Sequence, residues 1–271
     1  MPNYHFNGQP LELDYPACMG ILNLTPDSFS DGGQFSNLEF AVNHALKMVQ
    51  QGAQIIDVGG ESTRPGSKSV SEQEEIDRVL PVLEKLPVDQ FIISIDTTKP
   101  KVAELALQNG AHLINDVSGG NKILLEKAKQ YDAGFVIMHT QGNPDSMQNK
   151  PSYMNPTEEI RGFFEKQKDF LLSLELPRVW IDPGIGFGKT LEHNIDIMRN
   201  LDRFEDDAWG ILLGTSRKSW IDHLCTAKDP LERIGGSIAS AIHAVRKGAE
   251  IIRVHDVKET VQAIQVAKEL A

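Results

Sequence analysis

Short apolar segments rich in β-branched residues recur eight times along this chain of 271 residues, and stretches of helical periodicity separate them. Each segment is almost continuously apolar, which is typical of strands buried on both faces of a parallel sheet. The predicted strands are residues 17–22, 54–59, 91–95, 112–114, 134–138, 178–181, 211–214 and 250–254. A strand and then a helix, eight times over, predict the α/β class and a closed (β/α)8 barrel of the TIM type, not an open sheet.

The predicted helices carry start and stop signals. Ser71 with Glu74 forms a capping box, Pro100 suits a first helical turn and Gly110 suits a helix end. Apolar residues spaced by three and four predict the buried faces, among them the face of Ile234, Ile238, Ile242 and Val245. These signals place the helices between the strands.

The first residues predict an added β-hairpin. The Asn7-Gly8 turn lies between strand-like segments at residues 4–6 and 11–13. We expect this hairpin, within residues 1–16, to cover the bottom of the barrel, where the strands begin. No linker, repeat or low-complexity block divides the sequence, and barrels of this type often reach this length as one domain. We therefore expect residues 1–271 to form a single domain.

Composition and charge exclude several classes of function. The formal net charge is −11 with 27 basic residues, so the chain lacks the basic field that nucleic-acid binding requires. No apolar run approaches the length that spans a bilayer. Residues 1–14 show neither the basic start nor the apolar stretch of a secretory signal. We therefore expect a cytoplasmic protein with no nucleic-acid or membrane partner.

Polar residues follow every predicted strand. The carboxyl ends of barrel strands open into one shared mouth, where catalytic groups lie in essentially all TIM-barrel enzymes. The polar residues are Asn23, Glu61, Arg64, Asp96, Asn115, Asp116, His139, Asp182, Arg217, Lys218, Arg253 and His255. Two long glycine-containing loops, residues 25–33 and 62–71, follow the first two strands and are expected to act as lids or ligand clamps. Groups far apart in sequence are thus predicted to form one site.

Some of these residues also have a purely structural interpretation. Asp182 and Asp96 each close an apolar strand and could cap the next helix; the mouth location favours ligand binding for Asp182, while both roles stay open for Asp96. His139 has no second His or Cys at metal-ligand spacing, which favours a hydrogen-bonded structural histidine. Gly188-Lys189-Thr190 does not complete a phosphate loop, because Pro183 stands where that motif needs a glycine.

Cations cluster after the last two strands, which are neighbours in a closed barrel. Residues 216–219 include Arg217 and Lys218 and could form a solvated turn, but Arg253 and His255 follow the adjacent strand. Barrels commonly bind phosphate at this place, and a local positive charge in an acidic chain indicates an anion site. Beside a diphosphate, Asn23 could offer Mg²⁺ a neutral oxygen.

The strand ends carry motifs that are specific in combination. They occupy residues 19–33, 57–66 (DVGGESTRPG), 94–100, 114–116, 138–144, 182–189 (DPGIGFGK), 214–219 and 252–257. With these motifs in this order, the chain resembles the dihydropteroate synthase family of pterin-binding barrels over essentially its whole length. The resemblance implies condensation of 7,8-dihydropterin-6-ylmethyl diphosphate with 4-aminobenzoate, yielding 7,8-dihydropteroate and pyrophosphate in folate biosynthesis, with Mg²⁺ as cofactor.

The resemblance also implies a role for each matching residue. The pterin would be held by Asp96, Asn115, Asp182 and Lys218. The diphosphate would be held by Asn23, Arg253 and His255, with Asn23 also a ligand of Mg²⁺. In the lid loops, Asp31 would approach the metal, and the aminobenzoate pocket would be shaped by Phe29, Thr63, Arg64, Pro65 and Ser219. The catalytic residues would be Asp96, Lys218, Arg253 and His255. The family is a target of sulfonamides, and the resemblance of this chain to the family implies a homodimer.

A dissociative reaction path is expected from the chemistry of the two substrates. An arylamine needs little deprotonation before it attacks, so the difficult step is loss of diphosphate from the pterin methylene. Mg²⁺, Arg253 and His255 would stabilise that leaving group. An electron-rich pterin can carry positive charge at that carbon, and an anionic Asp96 would favour it.

Two other functions remain open from the sequence. A pterin-dependent methyltransferase barrel would use the same carboxylates but has no evident use for the loops at residues 25–33 and 63–67 or for the cations after the eighth strand. A non-catalytic pterin-binding module is the other. One departure from the family is Thr140, which stands where relatives often carry a larger apolar residue beside the pterin.

Overall fold

The computed structural model of the chain describes residues 3–6, 8–25, 34–62, 67, 69–142, 147 and 150–270. Within them, eight parallel strands close into a barrel in which the last strand pairs with the first. The strands are β3 (Ala17–Asn23), β4 (Ile55–Gly59), β5 (Ile92–Asp96), β6 (Leu113–Asp116), β7 (Gly134–Met138), β8 (Val179–Asp182), β9 (Gly210–Leu213) and β10 (Ile251–Val254). The predicted (β/α)8 barrel is therefore confirmed.

Helices occupy the connections between the barrel strands. They are α1 (Gln34–Gln50), α2 (Glu72–Leu83), α3 (Pro100–Gln108), α4 (Lys122–Gln130), α5 (Pro156–Glu165), α6 (Lys168–Leu174), α7 (Leu191–Arg199), α8 (Ser219–Cys225) and α9 (Ile234–Arg246), with α10 (Val257–Glu269) after the last strand. Ser71 caps α2 as predicted: its hydroxyl accepts the Glu74 N–H at 3.2 Å, and the Glu74 carboxylate accepts the Ser71 N–H. Within the described residues, no helix has both the length and the hydropathy needed to cross a membrane.

Several barrel strands run one or two residues further toward the mouth than predicted. Asn23, Asp96 and Asp182 are the last residues of their strands. In the ladder, Asn23 pairs with Gly59, Gly59 pairs with Asp96, and Asp96 pairs with Asn115. The ladder uses backbone groups only, so a polar side chain does not end it. The polar residues are thereby fixed at neighbouring points of one rim.

A two-stranded hairpin precedes the barrel, as predicted. Its strands, β1 (Asn3–Phe6) and β2 (Gln9–Glu12), are antiparallel. Phe6 and Leu13 are fully buried and pack against the interior side chains at the start of the barrel strands. The ring centroids of Phe6 and Trp180 lie 6.3 Å apart. The hairpin therefore closes the bottom of the barrel, and the larger apolar core lies between the strands and the surrounding helices.

Helix α9 buries a different face from the one predicted. Its buried residues are the small ones, Ser237, Ser240, Ala241 and Ala244, whereas Ile234, Ile238, Ile242 and Val245 are only partly buried. The reason is close approach: a Cβ at Gly236 would lie 2.4 Å from Cγ2 of Ile221. The hydroxyls of Ser240 and Thr215 also hydrogen-bond at 2.8 Å. Space and hydroxyl pairing, not hydropathy, orient this helix.

Candidate active site

The site is built on the interior face of the barrel, one layer above the apolar floor. Side chains alternate along a strand, so residues two apart share a face. The interior residue Ile55 is followed by Asp57 on β4, Leu113 by Asn115 on β6, and Ile251 by Arg253 on β10. The lower layer is apolar and packed, and the layer above it is polar. The change falls where the mouth begins.

A cavity of about 260 Å³ opens at the carboxyl ends of the strands. Of the residues predicted for the site, it is lined by Asn23, Asn115, Asp182, Lys218, Ser219, Arg253 and His255. Apolar side chains complete its wall, among them Ile21, Val117, Met138 and Phe187. The structure therefore brings three of the four predicted pterin residues and all three predicted diphosphate residues to the same opening. Asp96 does not line the cavity but lies directly beneath it, bound to Arg253.

Arg253 joins two buried carboxylates on the floor of the cavity. Its Nε donates to Oδ2 of Asp57 at 2.6 Å, and its Nη2 donates to Oδ2 of Asp96 at 2.7 Å. Oδ2 of Asp57 also accepts from Nδ2 of Asn115 at 3.0 Å. Asp57 is not among the polar residues that follow the strands, because it lies within β4. The available signal was a carboxylate inside an apolar strand, since a buried charge is retained only with partners.

Burial raises the pKa of Asp96 to about 7; Arg253 opposes this rise, and the nearby carboxylates of Asp57, Glu75 and Asp116 add to it. Its second oxygen, Oδ1, is buried and has no hydrogen-bond partner within the described residues. An unsatisfied buried oxygen is costly and can be satisfied by a proton or by an N–H donor of a ligand. Asp96 can therefore change its protonation state near neutral pH.

Asp182 and Lys218 both line the cavity, and the charge of each acts on the pKa of the other. Burial raises the pKa of Asp182, while Lys218 and the N–H of Gly184, which Oδ1 accepts at 2.7 Å, lower it. Burial also lowers the pKa of Lys218 to about 8, against the attraction of Asp182. Nζ of Lys218 donates to the carbonyl of Ile185 at 2.6 Å and lies 4.7 Å from the centre of the Phe187 ring. This part of the cavity offers an acceptor, a donor and an aromatic face.

The conformation of the loop after β8 requires a glycine at position 184. Gly184 has a φ of +73°, and a Cβ at this position would lie 1.9 Å from the carbonyl oxygen of His139. Lys189, which is buried, closes the loop by donating to the carbonyls of Phe187 at 3.0 Å and His139 at 3.3 Å. Burial lowers its pKa to about 7. Lys189 thus fastens the loop that carries Phe187, and it does not line the cavity.

His139 is a buried hydrogen-bonded side chain, in line with its structural interpretation. Nδ1 lies 3.1 Å from Nζ of Lys189. Burial, together with the charge of Lys189, lowers its pKa to about 3. In the part of the chain that the structure describes, no three His, Cys, Asp or Glu side chains form a group able to hold a metal.

Both arginines predicted for the cationic side of the cavity are ion-paired, Arg253 with Asp57 and Asp96 and Arg217 with Asp256. The guanidinium of Arg217 is paired with Asp256, through Nε to Oδ2 at 2.9 Å and Nη2 to Oδ1 at 2.5 Å. Arg217 also lines the cavity, and its ion pair joins the turn after β9 to the residues that follow β10. Arg253 and His255 both line the cavity, and Nδ1 of His255 lies 3.1 Å from the hydroxyl of Ser216.

Five predicted residues of the lid loops, Phe29, Asp31, Thr63, Arg64 and Pro65, lie outside the described residues. The other, Ser219, begins α8 and lines the cavity. Thr140 is half-buried, and its hydroxyl contacts the sulfur of Met147 at 3.8 Å. Thr140 is not among the cavity residues, so the apolar lining comes from other positions.

Known proteins share both the sequence and the fold of this chain. A family model described as pterin binding enzyme matches residues 19–255. The dihydropteroate synthase of Synechocystis sp. is 46% identical over 257 residues, covering 93% of this chain and 89% of that protein. The crystal structure of Yersinia pestis dihydropteroate synthase with a sulfonamide drug complex superposes with a TM-score of 0.90 at 42% identity, covering 99% of both chains.

The dihydropteroate synthase of Thermus thermophilus in complex with 4-aminobenzoate gives a TM-score of 0.89 at 39% identity and covers all of both chains, 100% in each case. Identity of this level over the full barrel, together with a polar cavity at the strand ends, cannot arise from the fold alone, because the TIM barrel hosts many unrelated functions. The chain belongs to the dihydropteroate synthase family of pterin-binding enzymes.

Proposed function

We propose that this enzyme condenses 7,8-dihydropterin-6-ylmethyl diphosphate with 4-aminobenzoate, releasing 7,8-dihydropteroate and pyrophosphate in folate biosynthesis. One observation carries the proposal: Asn115, Asp182 and Lys218 share a single cavity with Arg253 and His255. A substrate in which one methylene group joins a pterin ring to a diphosphate needs such an arrangement. Family membership and the 4-aminobenzoate bound to the Thermus thermophilus relative support the second substrate.

Asp182, Asn115 and Lys218 hold the pterin in this proposal. The edge of a pterin resembles guanidine and presents adjacent N–H donors, which carboxylate and amide oxygens accept. Lys218 donates to the ring carbonyl and a ring nitrogen. Phe187, against which Lys218 lies at 4.7 Å, offers an apolar face beside the flat ring. Desolvation makes each of these hydrogen bonds stronger than it would be in water.

Arg253, His255 and Asn23 receive the diphosphate. Asn23 ends β3 and lines the same cavity as both cations. Its neutral amide oxygen fits Mg²⁺, which characteristically takes one or two protein ligands and completes its shell with phosphate oxygens and water. When bound, Mg²⁺ would neutralise charge on the diphosphate. Asp31 is proposed as the second protein group near the metal.

The proposed reaction takes a dissociative path, and the buried charges support it. Arg253 and His255 stabilise the diphosphate as it leaves, because donors in a desolvated site act most strongly on developing charge. Asp96, when ionised, favours positive charge on the pterin above it. Lys218 keeps the ring in place through the step. The arylamine of 4-aminobenzoate then attacks the methylene carbon and loses its proton to solvent.

Release of pyrophosphate tests the proposed function. Purified protein with Mg²⁺ and both substrates is expected to release one pyrophosphate for each dihydropteroate formed. A methyltransferase barrel or a binding module would bind the pterin and release none. For the path, label in the oxygen that joins the methylene to phosphorus should scramble when an unreactive aminobenzoate analogue is bound. Retention of the label, with strict inversion and a rate that depends on amine nucleophilicity, would count against a dissociative step. Sedimentation of the purified protein tests the proposed homodimer.

A further inference from the structure

We propose that Asp57 is a positioning residue of this active site: it fixes the plane of the Arg253 guanidinium and makes Asn115 a hydrogen-bond acceptor toward the pterin. The inference rests on the proposed function. Asp57 lies on β4 between Ile21 of β3 and Ser94 of β5 in the strand register. It is fully buried, and it does not line the cavity. It therefore acts through other residues and not by touching the substrate.

Two carboxylates hold one edge of the Arg253 guanidinium. Asp57 accepts from Nε at 2.6 Å and Asp96 accepts from Nη2 at 2.7 Å. A planar group with two of its nitrogens bound to separate fixed oxygens cannot rotate about its stem. Without Asp57, Arg253 would retain only the bond to Asp96. Asp57 thereby determines the orientation in which Arg253 meets the substrate.

Asp57 also determines which atom Asn115 presents. An amide side chain has a donor end and an acceptor end, and its neighbours decide which end points where. Oδ2 of Asp57 already accepts from Nε of Arg253, so it serves as an acceptor here too, and Asn115 turns Nδ2 toward it at 3.0 Å. Oδ1 is then left to accept an N–H from the pterin. The same oxygen of Asp57, Oδ2, serves both neighbours, which couples the cationic and the pterin sides of the cavity.

Replacement of Asp57 by Asn tests the proposal, with Ser94→Ala as the matched control. Ser94 is equally buried, pairs with Asp57 across the two strands, and its hydroxyl has no partner within the described residues. Misplacement of a substrate-binding group by about 1 Å lowers rates on the order of 10²-fold. We expect Asp57→Asn to lower kcat/KM for the pterin diphosphate by that order, with KM for 4-aminobenzoate unchanged at saturating pterin. Ser94→Ala should stay within about twofold of the wild type, because it removes no hydrogen bond.

A mutant cycle separates positioning from core packing, with Asp57→Asn as one member and the pair Arg253→Ala with Asn115→Ala as the other. If Asp57 acts through Arg253 and Asn115, Asp57→Asn should add less than about threefold to the loss already caused by Arg253→Ala with Asn115→Ala, measured as pterin affinity by calorimetry. A full 10²-fold further loss in that background, or a near-wild-type Asp57→Asn enzyme, would overturn the proposal.

A measurement on the unaltered protein covers the case in which Asp57→Asn fails to fold. The Arg253 Nε–H should give a nitrogen-15 resonance that exchanges slowly with water, because Asp57 holds it in a buried bond. Rapid exchange at that position would overturn the proposal. Wild-type protein that binds no pterin and releases no pyrophosphate would refute the proposed function instead, and the resonance would still report on Asp57.

Discussion

At the scale of single residues, the pKa values of Asp96 and Lys218 lie close to each other. Burial raises the pKa of Asp96 to about 7 and lowers the pKa of Lys218 to about 8. In the proposed reaction Asp96 acts as an anion and Lys218 as a cation. Both forms predominate together between these two values, so we expect the proposed reaction to be fastest near neutral pH.

A bell-shaped pH dependence is the expected consequence. As pH falls through about 7, Asp96 takes up a proton and ceases to favour a cation; as pH rises above about 8, Lys218 loses its proton and its charge-assisted bond to the pterin. We predict that kcat/KM for the pterin diphosphate falls on both sides of this range. Asp96→Asn should remove the acid limb and leave the alkaline one. A flat profile from about pH 6 to about pH 9 would show that these groups do not carry the reaction.

The residue scale also shows what the sequence can and cannot predict about the site. Asn115, Asp182, Lys218 and His255 reach the predicted cavity because strand ends in a barrel share one rim. Partnership between side chains is not visible in the pattern. The sequence shows Arg217 and Arg253 as cations but not the carboxylates that pair with them, Asp256 for Arg217 and Asp57 with Asp96 for Arg253, which are adjacent only in space.

At the scale of an element, the loop after β8 fixes one wall of the cavity. Asp182 accepts the Gly184 N–H, Asn194 accepts the Gly186 N–H at 2.8 Å, and Lys189 binds two carbonyls across the loop. Phe187 thus has a backbone held at several points. The sequence shows three glycines here but not the contact that requires the first of them.

Gly184→Ala tests the rigidity of this loop. A Cβ would lie 1.9 Å from the His139 carbonyl oxygen, at a φ of +73°. We predict a loss of about 1–3 kcal/mol in the free energy of unfolding, together with a higher KM for the pterin, since Phe187 must shift. Gly162→Ala is the control, because Gly162 lies in α5 and, apart from its chain neighbours and the helix backbone, no atom of the described residues lies within 4 Å of the added Cβ. It should stabilise by about 0.4–1 kcal/mol without changing KM. Equal effects from both in urea denaturation would contradict this account.

The periodicity of apolar residues predicts the barrel strands but not the buried face of every helix. All eight barrel strands follow from apolar runs, because burial on both faces leaves a clear pattern. The face of α9 does not, because Gly236 and Ser240 are chosen for close approach and for a hydroxyl pair. Small residues at a tight helix contact have no hydropathy signal.

At the scale of the whole molecule, the barrel places the residues that stabilise the fold and the residues of the proposed active site at opposite ends of its strands. The bottom is closed by apolar side chains from the hairpin and the strand starts, while the top layer carries the charges. The net charge of −11 tells nothing of this division, because the ionised groups of the cavity are paired locally. Alternation along the strands allows it: one step of two residues leads from Ile55 to Asp57 and from Ile251 to Arg253.

Phe6→Ala is predicted to weaken the fold and leave catalysis intact. Phe6 is fully buried at the bottom of the barrel, so removing its ring leaves a cavity and should lower the free energy of unfolding by about 3–5 kcal/mol. The same change at Phe40, which is 59% exposed, should stay within about 0.5 kcal/mol. Below the unfolding transition, kcat and both KM values of the Phe6 variant should match the wild type, because the substrate cavity lies at the other end of the strands. A changed KM for the pterin would mean that the bottom of the barrel transmits its packing to the site, and that the two ends do not act independently.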